Sequence, residues 1–147
     1  MSLFDETRAA YFESLTERVA NHPSRHKRDA GHWRSLFGEV YVFRGVRYVK
    51  IGYSRDPEDR RRQLSVPFPI ELVLTLPGTP ETETAIQCVL DRYRSRGDWF
   101  HHNSYVSDGI QGLRCITESE LAASIKAGWF RRREWRREML TAPHPLS

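Results

Sequence analysis

Hydrophobic residues recur at helical spacing at the start of the chain. Tyr11, Leu15 and Val19 are separated by acidic and basic residues, and this pattern predicts an amphipathic helix over residues 4–20. A polar, basic stretch from Arg25 to Arg34 follows. A solvated linker is the commoner outcome for such a stretch, although an arm that contacts nucleic acid is the alternative.

Two segments rich in Val, Tyr and Phe come next, Glu39–Phe43 and Arg47–Ile51. They predict a β-hairpin. Gly45 is at the first central position of the turn, which is typical of type II′. Asp56 is then placed to cap a short helix that runs through Leu64.

The following region predicts one more strand and a longer helix. Ile70–Leu76 is an apolar run bounded by prolines and predicts a third strand. Thr79 opens a helix that we expect to continue to a stop at Gly97. Asp98-Trp99-Phe100 is expected to return to the core as a short extended segment.

A capping box near the carboxyl end predicts another helix. Thr117-Glu118-Ser119-Glu120 has the required spacing, and Gly128 is expected to end the helix. The elements together predict an α/β fold of the α+β type, with a small, mainly antiparallel three-stranded sheet flanked by helices. We divide the chain into an N-terminal helix and basic linker, a core, and a C-terminal helical, arginine-rich extension, over residues 1–36, 37–105 and 106–147.

Composition limits the function classes. The 147 residues suffice for one core, and no apolar run approaches the ~20 residues needed to span a bilayer. The first residues do not resemble a signal peptide, so we expect a cytoplasmic protein that does not bind membranes. The net charge of +4 favours acidic partners without identifying one. Cys88 and Cys115 form no metal motif, and we expect Cys88 to be a small buried hydrophobe.

Four side chains with complementary chemistry lie on these predicted elements. Tyr41 and Lys50 are on the two hairpin strands, which can each present a polar side chain toward a common face. Arg60 is on the short helix and Glu83 is at the start of the longer one. Taken singly, Tyr41 would more often be a core residue, Arg60 part of a solvated helix face and Glu83 a surface carboxylate. Together they could hold a phosphate, bind a metal and activate water, as phosphodiester hydrolysis requires.

The strings that carry these residues resemble the GIY-YIG nuclease superfamily. The likeness is to a compact branch found in phage proteins and in proteins named for a meiotically up-regulated gene. The matching strings are Glu39-Val40-Tyr41, Lys50-Ile51-Gly52-Tyr53-Ser54, Asp56-Pro57, Arg60 to Leu64, Glu83 to Gln87 and Gly97-Asp98-Trp99-Phe100. Glu39 replaces a glycine of the name motif, and Gln87 stands where the branch often has a histidine. Gln87 cannot transfer a proton.

The resemblance implies a GIY-YIG-like core over residues 37–105 that acts as a metal-dependent endonuclease on nucleic acid, with DNA favoured. Glu83 would bind one divalent cation, Mg²⁺ or Mn²⁺. Tyr41, perturbed by Lys50 and the metal, would help to deprotonate water, and Arg60 would hold the scissile phosphate. The expected supporting residues are Gly52, Tyr53, Gln63 and Gln87. The expected nucleic-acid-binding residues are Arg55, Arg61, Arg62, Arg131, Arg132 and Arg133.

Alternatives remain open at this stage. A non-catalytic nucleic-acid-binding module could use the same groove, and an adaptor on a retired nuclease fold would bind DNA weakly and without salt dependence. Because no sequence-reading module is recognisable, a homodimer, a partner protein or DNA structure must supply specificity. Trp99 and Phe100 could stack on bases, although packing under the sheet is favoured. His101 and His102 point to opposite faces of an extended segment, which argues against metal binding.

Overall fold

The structure is a computed structural model that describes residues 1–22, 36–64 and 66–141, with side chains omitted for residues 132–141. The predicted linker from Arg25 to Arg34 lies outside the described residues. The strands are β1 (Gly38–Arg44), β2 (Tyr48–Ser54), β3 (Glu71–Gly78), β4 (Arg94–Arg96) and β5 (Trp99–His101). The α-helices are α1 (Leu3–Asn21), α2 (Pro57–Gln63), α3 (Pro80–Val89), α4 (Ser104–Arg114) and α5 (Glu118–Thr141).

The described strands form one antiparallel sheet in the order β3-β1-β2-β5-β4. The predicted α+β class is confirmed, but the prediction of three strands is wrong. The additional strands, β4 and β5, have three residues each and are too short for an alternating pattern to be recognised in the sequence. Gly97 joins them with a φ of 58°, a left-handed conformation that glycine adopts without a steric cost.

The turn between β1 and β2 differs from its prediction. A type II′ turn requires a positive φ at its first central residue, and among the described residues only Gly97 has one. The turn is instead closed by the amide of Gly45, which donates to the Tyr48 carbonyl over 2.8 Å. A Cβ on Gly45 would lie 2.9 Å from the Phe68 ring, so the glycine is needed for close packing.

Strand alternation divides the sheet into two faces. The face that we call the core face packs into the hydrophobic core, and its buried side chains are Val40, Val42, Val49, Ile51 and Phe100. The opposite face, which we call the site face, carries Tyr41, Phe43, Lys50, Gly52 and Trp99. The hydrophobic effect therefore fixes the register of the hairpin and, with it, the side on which its polar residues lie.

Helix α1 lies at the centre of the helical layer. It contacts α3, α4 and α5, and its predicted extent is confirmed to within one residue at each end. Tyr11, Leu15 and Val19 are fully buried, and the Tyr11 hydroxyl donates to the Pro77 carbonyl of β3 over 2.6 Å. No helix in the described part of the chain combines the length and apolar content needed to cross a membrane.

Two helices in the second half differ from the prediction. Helix α3 ends at Val89, before the expected stop at Gly97, because a 3₁₀ turn and β4 intervene. Helix α4 was not predicted, although the Asn103 side chain caps it by accepting from the Val106 amide over 2.9 Å. Cys88 is exposed, so the expectation that it is buried is wrong. Its neighbours Ile86, Gln87 and Leu90 occupy the buried positions instead.

Helix α5 begins as predicted but continues beyond its predicted end. The Glu120 amide donates to the Thr117 hydroxyl over 3.2 Å, and the Thr117 amide donates to the Glu120 carboxylate over 3.0 Å, which confirms the capping box. Gly128 is inside the helix. A Cβ there would lie 2.6 Å from the Val19 Cβ and 2.8 Å from the Thr16 carbonyl oxygen. The glycine therefore allows α1 and α5 to approach closely.

Gly128→Ala should destabilise the protein by about 1–2 kcal/mol, because the new methyl group meets backbone that cannot move cheaply. Helix propensity alone would predict the opposite sign, a gain of about 1 kcal/mol. Urea denaturation measures the difference. Ala122→Gly, at an exposed position of the same helix, measures the propensity effect alone. An increase in the stability of Gly128→Ala would contradict the packing explanation.

Candidate active site

The four side chains expected to carry the chemistry lie in one region. Tyr41 and Lys50 project from the site face, and α2 contacts the same strands and brings Arg60 toward Tyr41. Helix α3 supplies Glu83 in its first turn. The electrostatic interactions join them, since Arg60 and Glu83 both act on Tyr41, and Lys50 acts on Glu83. The four side chains therefore lie within electrostatic range of one another.

Tyr41 is held rigidly on the sheet. Only 2% of the residue is exposed, and its ring stacks on Phe43 with 4.2 Å between the ring centroids. Its cross-strand partner is Gly52, and any Cβ at that position would overlap the phenol ring. Gly52 therefore leaves the space in which Tyr41 lies, which gives this expected supporting residue a steric role.

Burial raises the pKa of the Tyr41 phenol above its ordinary value. Hydrogen bonding to Arg60 and its positive charge oppose this shift, whereas the negative charges of Glu83 and Asp98 add to it. Lys50, which the sequence suggested as the perturbing group, is not among the causes. The phenol consequently keeps its proton at neutral pH and is a hydrogen-bond donor in this state.

Lys50 is buried and paired with a residue that was not among the expected site residues. The ammonium donates to Asp98 Oδ2 over 3.2 Å and lies 5.6 Å from the centroid of the Trp99 ring. The Asp98 carbonyl also accepts from the Ile51 amide over 3.2 Å. Asp98 therefore fixes both a side chain and the backbone of β2. The sequence signal was a carboxylate directly after Gly97, within a string already noticed for its resemblance.

Gln87 links the carboxylates to the edge of β2. Its Nε2 lies 2.8 Å from the Ile51 carbonyl oxygen, 3.1 Å from Glu83 Oε1 and 3.2 Å from Asp98 Oδ1. Because the amide nitrogen carries two hydrogens, at least two of these acceptors share one of them. The Ile51 carbonyl is available to this side chain because β5 pairs with β2 only as far as Lys50. Gln87, one of the expected supporting residues, therefore has three hydrogen-bond acceptors within reach.

Glu83 is half-buried, and this burial raises the pKa of its carboxyl group. The negative charge of Asp98 raises it further, while the Gln87 hydrogen bond and the charge of Lys50 lower it. A bound cation would favour the ionised form of such a group.

The donor set fits a hard divalent cation such as Mg²⁺, which is commonly held by one or two carboxylates together with water and substrate phosphate. The described residues contain no cluster of three or more His, Cys, Asp and Glu side chains suited to a metal ion. Glu83, with Asp98 beside it, would hold the ion, and its other positions would be available to water and phosphate.

Two expected supporting residues have contacts outside the group of Tyr41, Lys50, Arg60 and Glu83. Tyr53 is on the core face, where its ring covers Gly38, because consecutive strand residues point to opposite faces. Gln63 donates to Asp59 Oδ2 over 2.8 Å within α2. The supporting roles expected for Tyr53 and Gln63 stay predictions, and for Tyr53 such a role would have to act from the core face.

Several of the expected nucleic-acid contacts have partners within the protein. Arg61 pairs with the Glu58 carboxylate over 3.0 Å, and Arg62 donates to the Glu58 carbonyl over 3.3 Å. Arg131 forms two hydrogen bonds with Glu13, of 2.7 and 3.1 Å, that connect α5 to α1. Arg55 is exposed near the first residues of β1. The side chains of Arg132 and Arg133 lie outside the described residues. Nucleic-acid binding by these arginines stays a prediction.

Comparison with known proteins gives the family. The family model of the T5orf172 domain matches residues 38–135, and the chain belongs to this family. No curated protein and no solved structure matches the chain. The matching model is not a GIY-YIG model, so the assignment to the GIY-YIG nuclease superfamily is corrected. The strings that carried the earlier resemblance all lie within the matched residues. Membership of this family supports a nucleic-acid-related function.

Proposed function

We propose that this T5orf172-domain protein is a metal-dependent endonuclease that hydrolyses phosphodiester bonds, with DNA as the substrate. The observation that carries the proposal is the half-buried Glu83 carboxylate, which shares the Gln87 amide with Asp98 and acts electrostatically on Tyr41. Burial makes the charge of Glu83 unfavourable in the isolated protein. Carboxyl groups whose pKa is perturbed by burial and a neighbouring charge cluster at functional sites.

Arg60 is the residue that would bind the scissile phosphate. It is exposed, and its guanidinium interacts with the buried Tyr41 hydroxyl, so one side of the group is positioned by the protein. A planar guanidinium can donate two parallel hydrogen bonds to a phosphate and stabilise the charge that develops as the bond breaks. Arg61 and Arg62 on the same helix are engaged with Glu58.

Tyr41 would position the reacting groups as a hydrogen-bond donor. Its raised pKa disfavours the phenolate, so it is not a base in the resting protein. Acceptance of a proton from water would first require loss of the phenol proton, which the positive charge of Arg60 favours. Lys50 would keep Asp98 in place and add positive charge beside Glu83.

Glu83, with Asp98 beside it, would hold one divalent cation, Mg²⁺ or Mn²⁺. When bound, such an ion polarises the phosphate and lowers the pKa of bound water. The chain's own contribution is to fix the two carboxylates through Gln87 and Lys50, so that the site is formed before substrate binds.

The proposal is tested by incubating the protein with supercoiled, linear and single-stranded DNA in Mg²⁺ or Mn²⁺, with EDTA and the Glu83→Gln variant as controls. We expect cleavage that EDTA and the substitution both abolish. Cleavage that survives Glu83→Gln would indicate a contaminating nuclease or a different site. Binding without cleavage of any substrate would overturn the proposal in favour of a non-catalytic nucleic-acid-binding module.

A further inference from the structure

A group of aromatic side chains continues the site face beyond the proposed catalytic residues. We call it the aromatic row, and its members are Tyr48, Phe68, Trp99 and His101. Trp99 pairs with Lys50 across β2 and β5, and His101 pairs with Tyr48 two residues further along. The row therefore begins at the buried ammonium of the site and extends toward the hairpin turn.

The rings of the aromatic row form two contacting pairs, and none of the four residues is fully buried. Phe68 meets Trp99 edge-on at 5.7 Å between centroids, and Tyr48 lies 5.6 Å from His101. Tyr48, Phe68 and Trp99 are half-buried, and His101 is exposed. By contrast, Phe100 points to the core face and is fully buried. The expectation that these aromatics pack under the sheet is therefore confirmed for Phe100 and wrong for Trp99.

Positive charge lies on both sides of the aromatic row. Arg60 is exposed beside Tyr41, and the exposed Arg96 lies opposite Trp99 across β4 and β5, next to an irregularity in the pairing of these strands. A nucleic-acid strand that runs from one arginine to the other would cross β5, the strand of Trp99, because β5 lies between β4 and the β1 strand that carries Tyr41. Accessible rings flanked by cationic side chains are what proteins use to bind single strands, since the bases stack on the rings and the arginines contact the phosphates.

We infer that the aromatic row binds unstacked bases, and that the substrate of this site is single-stranded DNA. This inference rests on the proposed function, because it names the substrate class of the same site. Bases inside a duplex stack on each other and offer no free face to Trp99. A duplex could satisfy Arg60 and Arg96 through its phosphates, but it would leave the aromatic row without a partner.

The experiment measures binding without metal, so that no cleavage interferes. The probes are a labelled oligothymidine about 12 nucleotides long, a strand of equal length in which abasic residues replace the central nucleotides, and a duplex of equal length. The abasic strand retains every phosphate but lacks the central bases. We expect the wild type to bind oligothymidine at least about fivefold more tightly than the abasic strand.

The variants separate base stacking from phosphate contact. Trp99→Leu should remove most of the preference for oligothymidine, whereas Trp99→Phe should keep it, because leucine fills space but has no aromatic face. The dependence of affinity on salt should not change in Trp99→Leu, since it reflects phosphate contacts, and it should weaken in Arg96→Ala. Because Trp99 also contacts Lys50, Tyr48→Leu is a second test at a position away from the ammonium. Thermal melting confirms that each variant is folded.

Equal affinity for the abasic strand and oligothymidine would overturn the inference, as would tighter binding of the duplex. If either result is accompanied by metal-dependent cleavage, the proposed function stands and only the inference of a single-stranded substrate is overturned. Base-dependent binding without cleavage would support the inference about the aromatic row and overturn the proposed endonuclease activity, because the row would then belong to a binding module.

Discussion

Glu83→Gln should abolish metal-dependent cleavage and also raise the melting temperature of the protein at neutral pH. The activity should fall by about a hundredfold or more, a loss typical of removing one group that stabilises charge in the transition state. The stability should rise because the substitution removes a charge that burial and Asp98 make unfavourable. The Gln87 amide can still donate to the side-chain oxygen of a glutamine at position 83.

The pH dependence follows from the raised pKa of Glu83. At pH values between the ordinary pKa and the raised pKa of Glu83, the folded protein binds more protons than the unfolded chain. The contribution of the protonated Glu83 to stability is therefore lost as the pH rises through the raised pKa. The melting temperatures of wild type and Glu83→Gln should therefore differ most at neutral pH and converge as the pH falls. Wild-type cleavage should decline over the same range, because protonation removes the cation ligand.

Glu81 provides the matched control in the same helical turn. Its carboxylate is exposed, and hydrogen bonds from its own amide and from Thr79 lower its pKa, so that its ionised form is favourable. Glu81→Gln should leave cleavage unchanged and should slightly lower the melting temperature at neutral pH. An equal loss of cleavage in Glu81→Gln and Glu83→Gln would indicate that the general negative charge of α3 matters and not the placement of Glu83.

The central hairpin could be predicted because the alternation of apolar and polar residues gives both the strands and the faces of their side chains. Alternation predicts the strands, and it also predicts that Tyr41 and Lys50 lie opposite the core residues Val40 and Val49. The same rule, applied one residue beyond Gly52, places Tyr53 on the core face. Alternation therefore separates Tyr53 from the face that carries Tyr41 and Lys50, and its supporting role stays a prediction.

The carboxylate and amide network could not be predicted, because it depends on contacts between distant elements. Asp98 reaches Lys50 only because β4 and β5 form a hairpin beside β2, and each of these strands is too short to give a periodic signal. Gln87 reaches the Ile51 carbonyl because the pairing of β5 with β2 extends only as far as Lys50. The raised pKa of Tyr41 could not be predicted from the sequence either, because burial is its largest cause and burial depends on the complete fold.

Arg60→Ala should lower the cleavage rate by about 10²–10³-fold if this guanidinium stabilises the transition state. Arg60→Lys should recover only part of the loss, because an ammonium keeps the charge but cannot form two parallel hydrogen bonds with a phosphate. Arg60→Ala should also lower the melting temperature modestly, because it removes a hydrogen-bonding partner of the buried Tyr41 phenol. Single-turnover cleavage with saturating DNA measures the chemical step separately from binding.

The neighbouring arginines of α2 distinguish placement from net charge. Arg61→Ala and Arg62→Ala remove the same charge from the same helix, but these side chains are engaged with Glu58 and not with Tyr41. Both variants should therefore bind DNA somewhat more weakly and cleave at close to the wild-type rate once bound. If all three substitutions slow the chemical step equally, α2 contributes only positive potential. If Arg60→Ala alone slows it, the interaction between Arg60 and Tyr41 is what places the phosphate for hydrolysis.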